Sequence, residues 1–309
     1  MPAPRIAFST PSTQPRWKRW LLYSPLARIL IFAAALVIVA AATGMATDAL
    51  GWNAKAAPAA RHAASSLLMQ LLPALVGYVV LVRLVERRRM RELAGRDIAT
   101  LGLRGLAAGF LLFSVVICIL WLAGSYHVVG TRAHPDWLTG VLVAGIGAGI
   151  GEEIVTRGVL FRVVEEGLGT WWALLVSAAF FGAAHIGNPN ATTWSSVAIM
   201  IEAGLLLALL YHVTRSLWTC IGLHAAWNIT QGFIYGVPVS GLESSGWLAS
   251  ELSGPDWLSG GAFGAEASVV AVLVCSTASA ILLAIAFRRG SIVPPAWRRR
   301  AIASQPASA

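Results

Sequence analysis

Eight apolar blocks, most of them long enough to cross a bilayer as a single helix, leave this chain little else to fold into. They run at about 26–45, 66–85, 104–124, 137–163, 171–187, 194–213, 216–236 and 266–287. Only 12% of the residues are charged, whereas soluble domains carry roughly twice that share. The first block is longer than the apolar stretch of a signal sequence, so it reads as a retained helix. The expected fold class is all-α: a polytopic transmembrane helix bundle of about eight spans.

The basic residues give the bundle a direction. With both termini placed in the cytoplasm, the segments on that side hold 20 of the 23 lysines and arginines, and the outer side holds only Lys55, Arg61 and Arg132. An even number of spans with both ends inside is therefore expected, in the cytoplasmic (inner) membrane. The net charge of +9 is spent on this orientation; with no basic recognition face or module, nucleic acid is excluded as a partner and the bilayer is the expected one. The chain divides into a flexible cytoplasmic tail (1–25), N-terminal transmembrane helices (26–136), a core (137–236), an extracytoplasmic loop (237–265), and a last helix with a basic cytoplasmic tail (266–309). Cys118, Cys220 and Cys275 each lie within an apolar block without a pairing pattern, and read as small buried hydrophobes.

Ionisable side chains deep in a membrane cost several kcal/mol each and call for individual explanations. Glu152, Glu153 and Arg157 lie together in the fourth block. Glu153 and Arg157 are four apart with the acid first, the favourable order for a pair on one helix face. Glu152 points about 100° away and has no such partner on its own helix. Phe181 and His185 follow in the fifth block. Glu152 and His185 are equally far in sequence from the centre of the expected turn at 167–170, which puts them at one depth in an antiparallel hairpin. His224 and Asn228 share a face of the seventh block. One carboxylate, two imidazoles and an amide from three helices form a parts list for hydrolysis. In that reading Glu152 accepts a proton from water, His185 holds the water, and His224 with Asn228 donates to an oxyanion. A divalent metal such as zinc on Glu152, His185 and His224 is also chemically sensible, although no HExxH pair occurs. Interhelical hydrogen bonding is the structural alternative for each His and Asn. Glu202 is left without a role, and His212 and Arg215 are expected to snorkel toward the cytoplasmic surface. Glycines 145, 147, 149 and 151 are expected to allow close helix approach or to loosen the helix beside the site.

The three motifs, EExxxR (Glu152, Glu153, Arg157), FxxxH (Phe181, His185) and HxxxN (His224, Asn228), occur in this order on separate helices. Together they resemble the CPBP family of intramembrane proteases, which includes the CAAX prenyl endopeptidases and bacteriocin-immunity and lysostaphin-resistance relatives. The resemblance covers roughly residues 137–236. It implies an eight-helix membrane endopeptidase with Glu152 as base, His185 as its partner on the water, His224 and Asn228 at the oxyanion, and Glu153, Arg157 and Phe181 shaping the site. Thr156 departs from the family pattern, standing where an aromatic residue often precedes the Arg. The family has been described both as metalloproteases and as glutamate-dependent enzymes, and the sequence leaves the two open.

The leading functional expectation is hydrolysis of a peptide bond in a membrane-associated protein or peptide. The alternatives are a non-catalytic membrane scaffold or bacteriocin-immunity factor of the same fold, and a secondary transporter using the buried acids and imidazoles as proton sites. Internal repeats between halves of the chain, which would favour the transporter, are not evident.

Overall fold

The structure is a computed structural model that describes residues 6–11 and 13–303. Each apolar block forms a helix: α1 (Pro25–Ala49), α2 (Ala59–Val85), α3 (Gly95–Leu122), α4 (Leu138–Leu168), α5 (Thr170–Ala184), α6 (Thr193–Thr214), α7 (Leu217–Asn228, continued by Ile229–Ile234) and α8 (Val269–Arg288). Six of them, all but α5 and α7, are long and apolar enough to cross a membrane. Helix α5 is apolar but has only 15 residues, and α7 carries His224, Asn228, Thr230 and Gln231 within its length. The chain is a multi-pass helical membrane protein.

Local chemistry sets the helix ends. Ser24 caps α1, its Oγ accepting the Ala27 N–H at 3.2 Å, with Pro25 at the first helical position. Ser268 caps α8 in the same way at 3.1 Å. Helices α4 and α5 are joined through Gly169 alone, at φ 86°, where a Cβ would stand 2.6 Å from the Val293 carbonyl oxygen. Only glycine combines that dihedral with that clearance.

The four glycines of α4 divide between two neighbours. Cβ atoms at Gly145 and Gly149 would meet Ile229 at 2.4 Å and Ala225 at 3.1 Å, both on α7. At Gly147 and Gly151 they would meet the Gln70 side-chain Oε1 at 2.3 Å and the Gln70 carbonyl oxygen at 2.7 Å, on α2. Alternate glycines thus let α4 lie against α2 on one side and α7 on the other, since residues four apart share a helix face. The turns on both sides of Ala148–Glu153 are widened to an i→i+5 pattern, so the helix is also loosened around the paired glutamates.

The 237–265 connection is built into the fold as a cap. Strands β1 (Tyr126–Thr131) and β2 (Leu248–Leu252) pair antiparallel, with a bulge between Val128 and Gly130. Buried Val237, Val239 and Phe263 fasten the rest of the loop, and the Ser240 N–H donates to Glu266 Oε1.

In the N-terminal tail Arg16–Leu21 is helical, and the Phe8 ring packs on Tyr23 at 5.9 Å and under the Arg28 guanidinium at 4.8 Å. Residues 1–5 and 12 of that tail, and 304–309 of the C-terminal one, lie outside the described residues. One expectation needs correction: His212 and Arg215 do not snorkel. Both bind Glu165, His212 through Nδ1 at 2.8 Å and Arg215 through two guanidinium contacts, because α4 presents a buried carboxylate at their level. Beside them lies a larger network: Arg28 and Arg162 share Glu86 Oε1 at 2.7 and 2.9 Å, both reach Glu166, and Arg88 joins Glu86 to Glu92.

Candidate active site

Glu152 and Glu153 leave α4 in different directions, as adjacent helical positions must. Glu153 is fully buried, and its Oε1 accepts from Arg157 Nη1 at 2.8 Å and from His224 Nδ1 at 2.9 Å. Arg157 donates further to Thr156 Oγ1 and to the Ala203 and Gly204 carbonyls, and stacks its guanidinium 4.6 Å from the Phe181 ring. The i, i+4 pair therefore reaches beyond its own helix. It positions the His224 ring of α7 and fastens α4 to α6.

Glu152 has a different environment. Its Oε2 is buried without a partner in the chain and lies 4.0 Å from both His185 Nε2 and His224 Nε2. His185 Nδ1 donates to the Phe181 carbonyl at 2.7 Å. A carbonyl only accepts, so Nδ1 carries a proton and Nε2 faces Glu152. The two imidazoles differ behind the ring: His185 has a carbonyl, His224 a carboxylate. Equal depth across the α4–α5 hairpin, counted from the sequence, matches the 4.0 Å approach. Asn228 lies one turn beyond His224 and donates from Nδ2 to the Ala144 carbonyl at 2.8 Å, leaving its second amide hydrogen.

A water about 2.8 Å from each of two atoms 4.0 Å apart subtends an angle near 90° between them, a normal bridging geometry. Zinc requires closer ligands: oxygen and nitrogen donors at 2.0–2.2 Å on a tetrahedral ion stand roughly 3.4 Å from one another. Glu, His and His suit zinc in kind, but their spacing does not. Among the described residues no group of three His, Cys, Asp or Glu gathers closely enough to hold a metal.

Two spaces adjoin the site, with Phe181 and His185 in the wall of both. A groove of about 350 Å³ between α1, α2, α4 and α5 has Glu152 on its wall. On the other side a cavity with about 20 Å³ of room for water centres is lined by His224, Asn228, Glu202, Ser240 and Glu266. Ser240 and Glu266 come from the capping segment and carry no motif. Glu202, unassigned from the sequence, is buried there with Cys275 Sγ at 3.8 Å. Burial pushes the Glu266 carboxyl up to about 7, against the hydrogen bonds from Ser240.

Fold and site together define a multi-pass membrane protein with a carboxylate facing two imidazoles inside its helix bundle. Residues 134–230 match a family model described as type II CAAX prenyl endopeptidase, Rce1-like, and so carry a domain of the CPBP and CAAX-type protease family. The matched segment is about a third of the chain and contains all three motifs. No curated protein and no solved structure matches the chain.

Proposed function

We propose that the protein is an intramembrane endopeptidase that hydrolyses a peptide bond of a membrane-associated protein or peptide, with Glu152 activating the water. The observation that carries this reading is the unpartnered Glu152 Oε2, 4.0 Å from two imidazole nitrogens. A carboxylate kept only for structure would pair its buried oxygen, as its neighbour Glu153 does.

In the proposed reaction, water bridges Glu152 and His185. His185 accepts one of its hydrogens through Nε2 and fixes its orientation. Glu152 takes the other proton as the oxygen attacks the carbonyl carbon. The developing oxyanion lies toward His224 and Asn228. Positive charge on the His224 ring is stabilised by Glu153 at Nδ1, as a carboxylate behind an imidazole does in serine proteases. Glu152 then passes its proton to the leaving amine, and the C–N bond breaks. No step is routed through a metal, given the spacing. The bias of basic residues supports both termini in the cytoplasm of an inner membrane.

The family description makes a prenylated peptide ending in a CAAX-type sequence the first substrate to try. In proteoliposomes, wild-type protein is expected to cleave a quenched farnesylated peptide of this type, with turnover unaltered by 1,10-phenanthroline. Glu152→Gln is expected to abolish cleavage while the thermal transition stays in place. Undiminished cleavage by that variant would remove Glu152 as the base, and absence of cleavage by the wild type would leave the scaffold reading in its place.

A further inference from the structure

The groove beside Glu152 has mostly apolar walls, including Leu36, Met69 and Phe180. Of its polar side chains, Thr156 donates to the Glu152 carbonyl and accepts from Arg157, Asn188 donates to the Ser240 carbonyl, and His185 is held by Phe181. Among the described residues, two groove side chains keep a buried oxygen without a partner: Glu152, at Oε2, and Gln70, at Oε1.

Gln70 is the anomaly. An amide inside an apolar helix normally bonds to a neighbouring helix, because no water is available to replace the bond. Here the facing surface of α4 is stripped of side chains. A Cβ at Gly147 would stand 2.3 Å from Gln70 Oε1, and one at Gly151 would stand 2.7 Å from the Gln70 carbonyl. The glycine face that admits α2 thus holds the carboxamide against Gly147, five residues before Glu152 on the same groove wall, without offering it a bond. An extended peptide in the groove would bring main-chain N–H and C=O groups against the same mostly apolar walls, where each needs a partner.

We infer that Gln70 is a substrate-positioning residue, its carboxamide hydrogen-bonding the main chain of an extended peptide bound in the groove beside Glu152. The inference rests on the proposed function for the nature of the occupant. The amide touches the peptide backbone, not the reacting carbonyl, so it acts on binding and register and leaves side-chain preference to the apolar walls.

The test separates binding from chemistry. Affinity for a fluorescent farnesylated CAAX-type peptide is measured in nanodiscs on Glu152→Gln protein, with and without Gln70→Met, which keeps length and removes both hydrogen-bonding atoms. A set of the same peptides with one amide replaced by an ester at each position in turn is measured alongside. Gln70→Met is expected to raise Kd about tenfold with the all-amide peptide and to have no further effect with one particular ester, the one lacking the partner group. Gln70→Asn recovers part of the affinity. A Kd unchanged by Gln70→Met, absence of specific binding included, overturns the inference, as does an equal loss with every ester. Turnover by wild-type protein and its loss in Glu152→Gln is read separately and speaks only to the protease reading.

Discussion

Helix α4 carries two buried charge clusters built on opposite plans. Toward its C-terminal end, Arg162, Glu165 and Glu166 meet Arg28, Glu86, Arg88, Glu92, His212 and Arg215, and each of the four carboxylates has a cationic partner within 3.2 Å. Three turns earlier, Glu153 is paired just as closely, but Glu152 has only two imidazole nitrogens 4.0 Å away. Burying a charge with matched partners yields a rigid junction. Leaving one part-exposed to the groove, with a single buried oxygen beside incomplete partners, keeps a base ready for a proton. The first cluster joins α1, α2, α4 and α6; the second holds a place for water. Substitutions that neutralise one carboxylate in each should therefore fail in opposite ways.

The largest contrast is between Glu152 and Glu86. Glu152→Gln is expected to lower turnover by about 10⁴-fold, the upper range for loss of a general base, with a thermal transition at or above that of the wild type. Glu86→Gln leaves Arg28, Arg88 and Arg162 without their shared acceptor. It is expected to cost about 3–5 kcal/mol of stability, as breaking buried ion pairs does, while kcat of the protein that remains folded stays near wild type. Denaturation in detergent alongside single-turnover cleavage reads both. If Glu86→Gln removed kcat at full stability, the division between junction and site would collapse. Burial works against the Glu86 charge, yet Arg162, Arg88 and Arg28 prevail and hold its carboxyl below the usual value. Its contribution is therefore present above about pH 4.5 and lost as pH falls through the lower folded value.

Glu153 belongs to both plans and sharpens the comparison. It is fully buried and paired like the junction residues, but one of its partners is His224. Glu153→Gln keeps an acceptor for one donor and removes the charge behind the imidazole. Turnover is expected to fall by about 10²-fold, together with a loss of about 2 kcal/mol in stability. A variant that lost stability alone would make Glu153 a junction residue only, and the role drawn for His224 would need another source of positive charge.

The same comparison marks what could be read in the sequence. Helical spacing along α4, α5 and α7 exposed Glu152, Glu153, Arg157, His185, His224 and Asn228, because i, i+4 relations and distances from a turn are local quantities. The glycine series was legible for the same reason, although not which neighbour each glycine served. The junction was not legible. Arg28 and Glu86 are 58 residues apart, and Arg215 meets Glu165 across 50. In the sequence those residues look like surface arginines near helix ends, which is why snorkelling was expected of His212 and Arg215. The capping ribbon escaped because β1 and β2 are short and separated by more than a hundred residues. Glu266 escaped with it, as a lone acid at the edge of an apolar block.

Glu266 offers the finest test, since it reverses the pH behaviour of Glu86. Its carboxyl is buried in the cavity behind His224 and pushed up to about 7, where Glu86 is held down. In the unfolded chain it ionises near the ordinary 4.5. Between those values the folded protein keeps a proton that the unfolded chain has released, so folding stability falls as pH rises from about 4.5 to 7 and levels off above. The shift is worth at most about 3 kcal/mol at roughly 1.4 kcal/mol per unit. Glu266→Gln stays neutral throughout and still offers an oxygen to the Ser240 N–H. The variant is expected to match the wild type near pH 5 and to melt several degrees higher at pH 8, at roughly 2–4 °C per kcal/mol. Parallel melting curves for the two proteins across that range would show that the cavity carboxyl is ionised at both ends. The space behind His224 would then be an extension of the charged junction, not a neutral wall to the site.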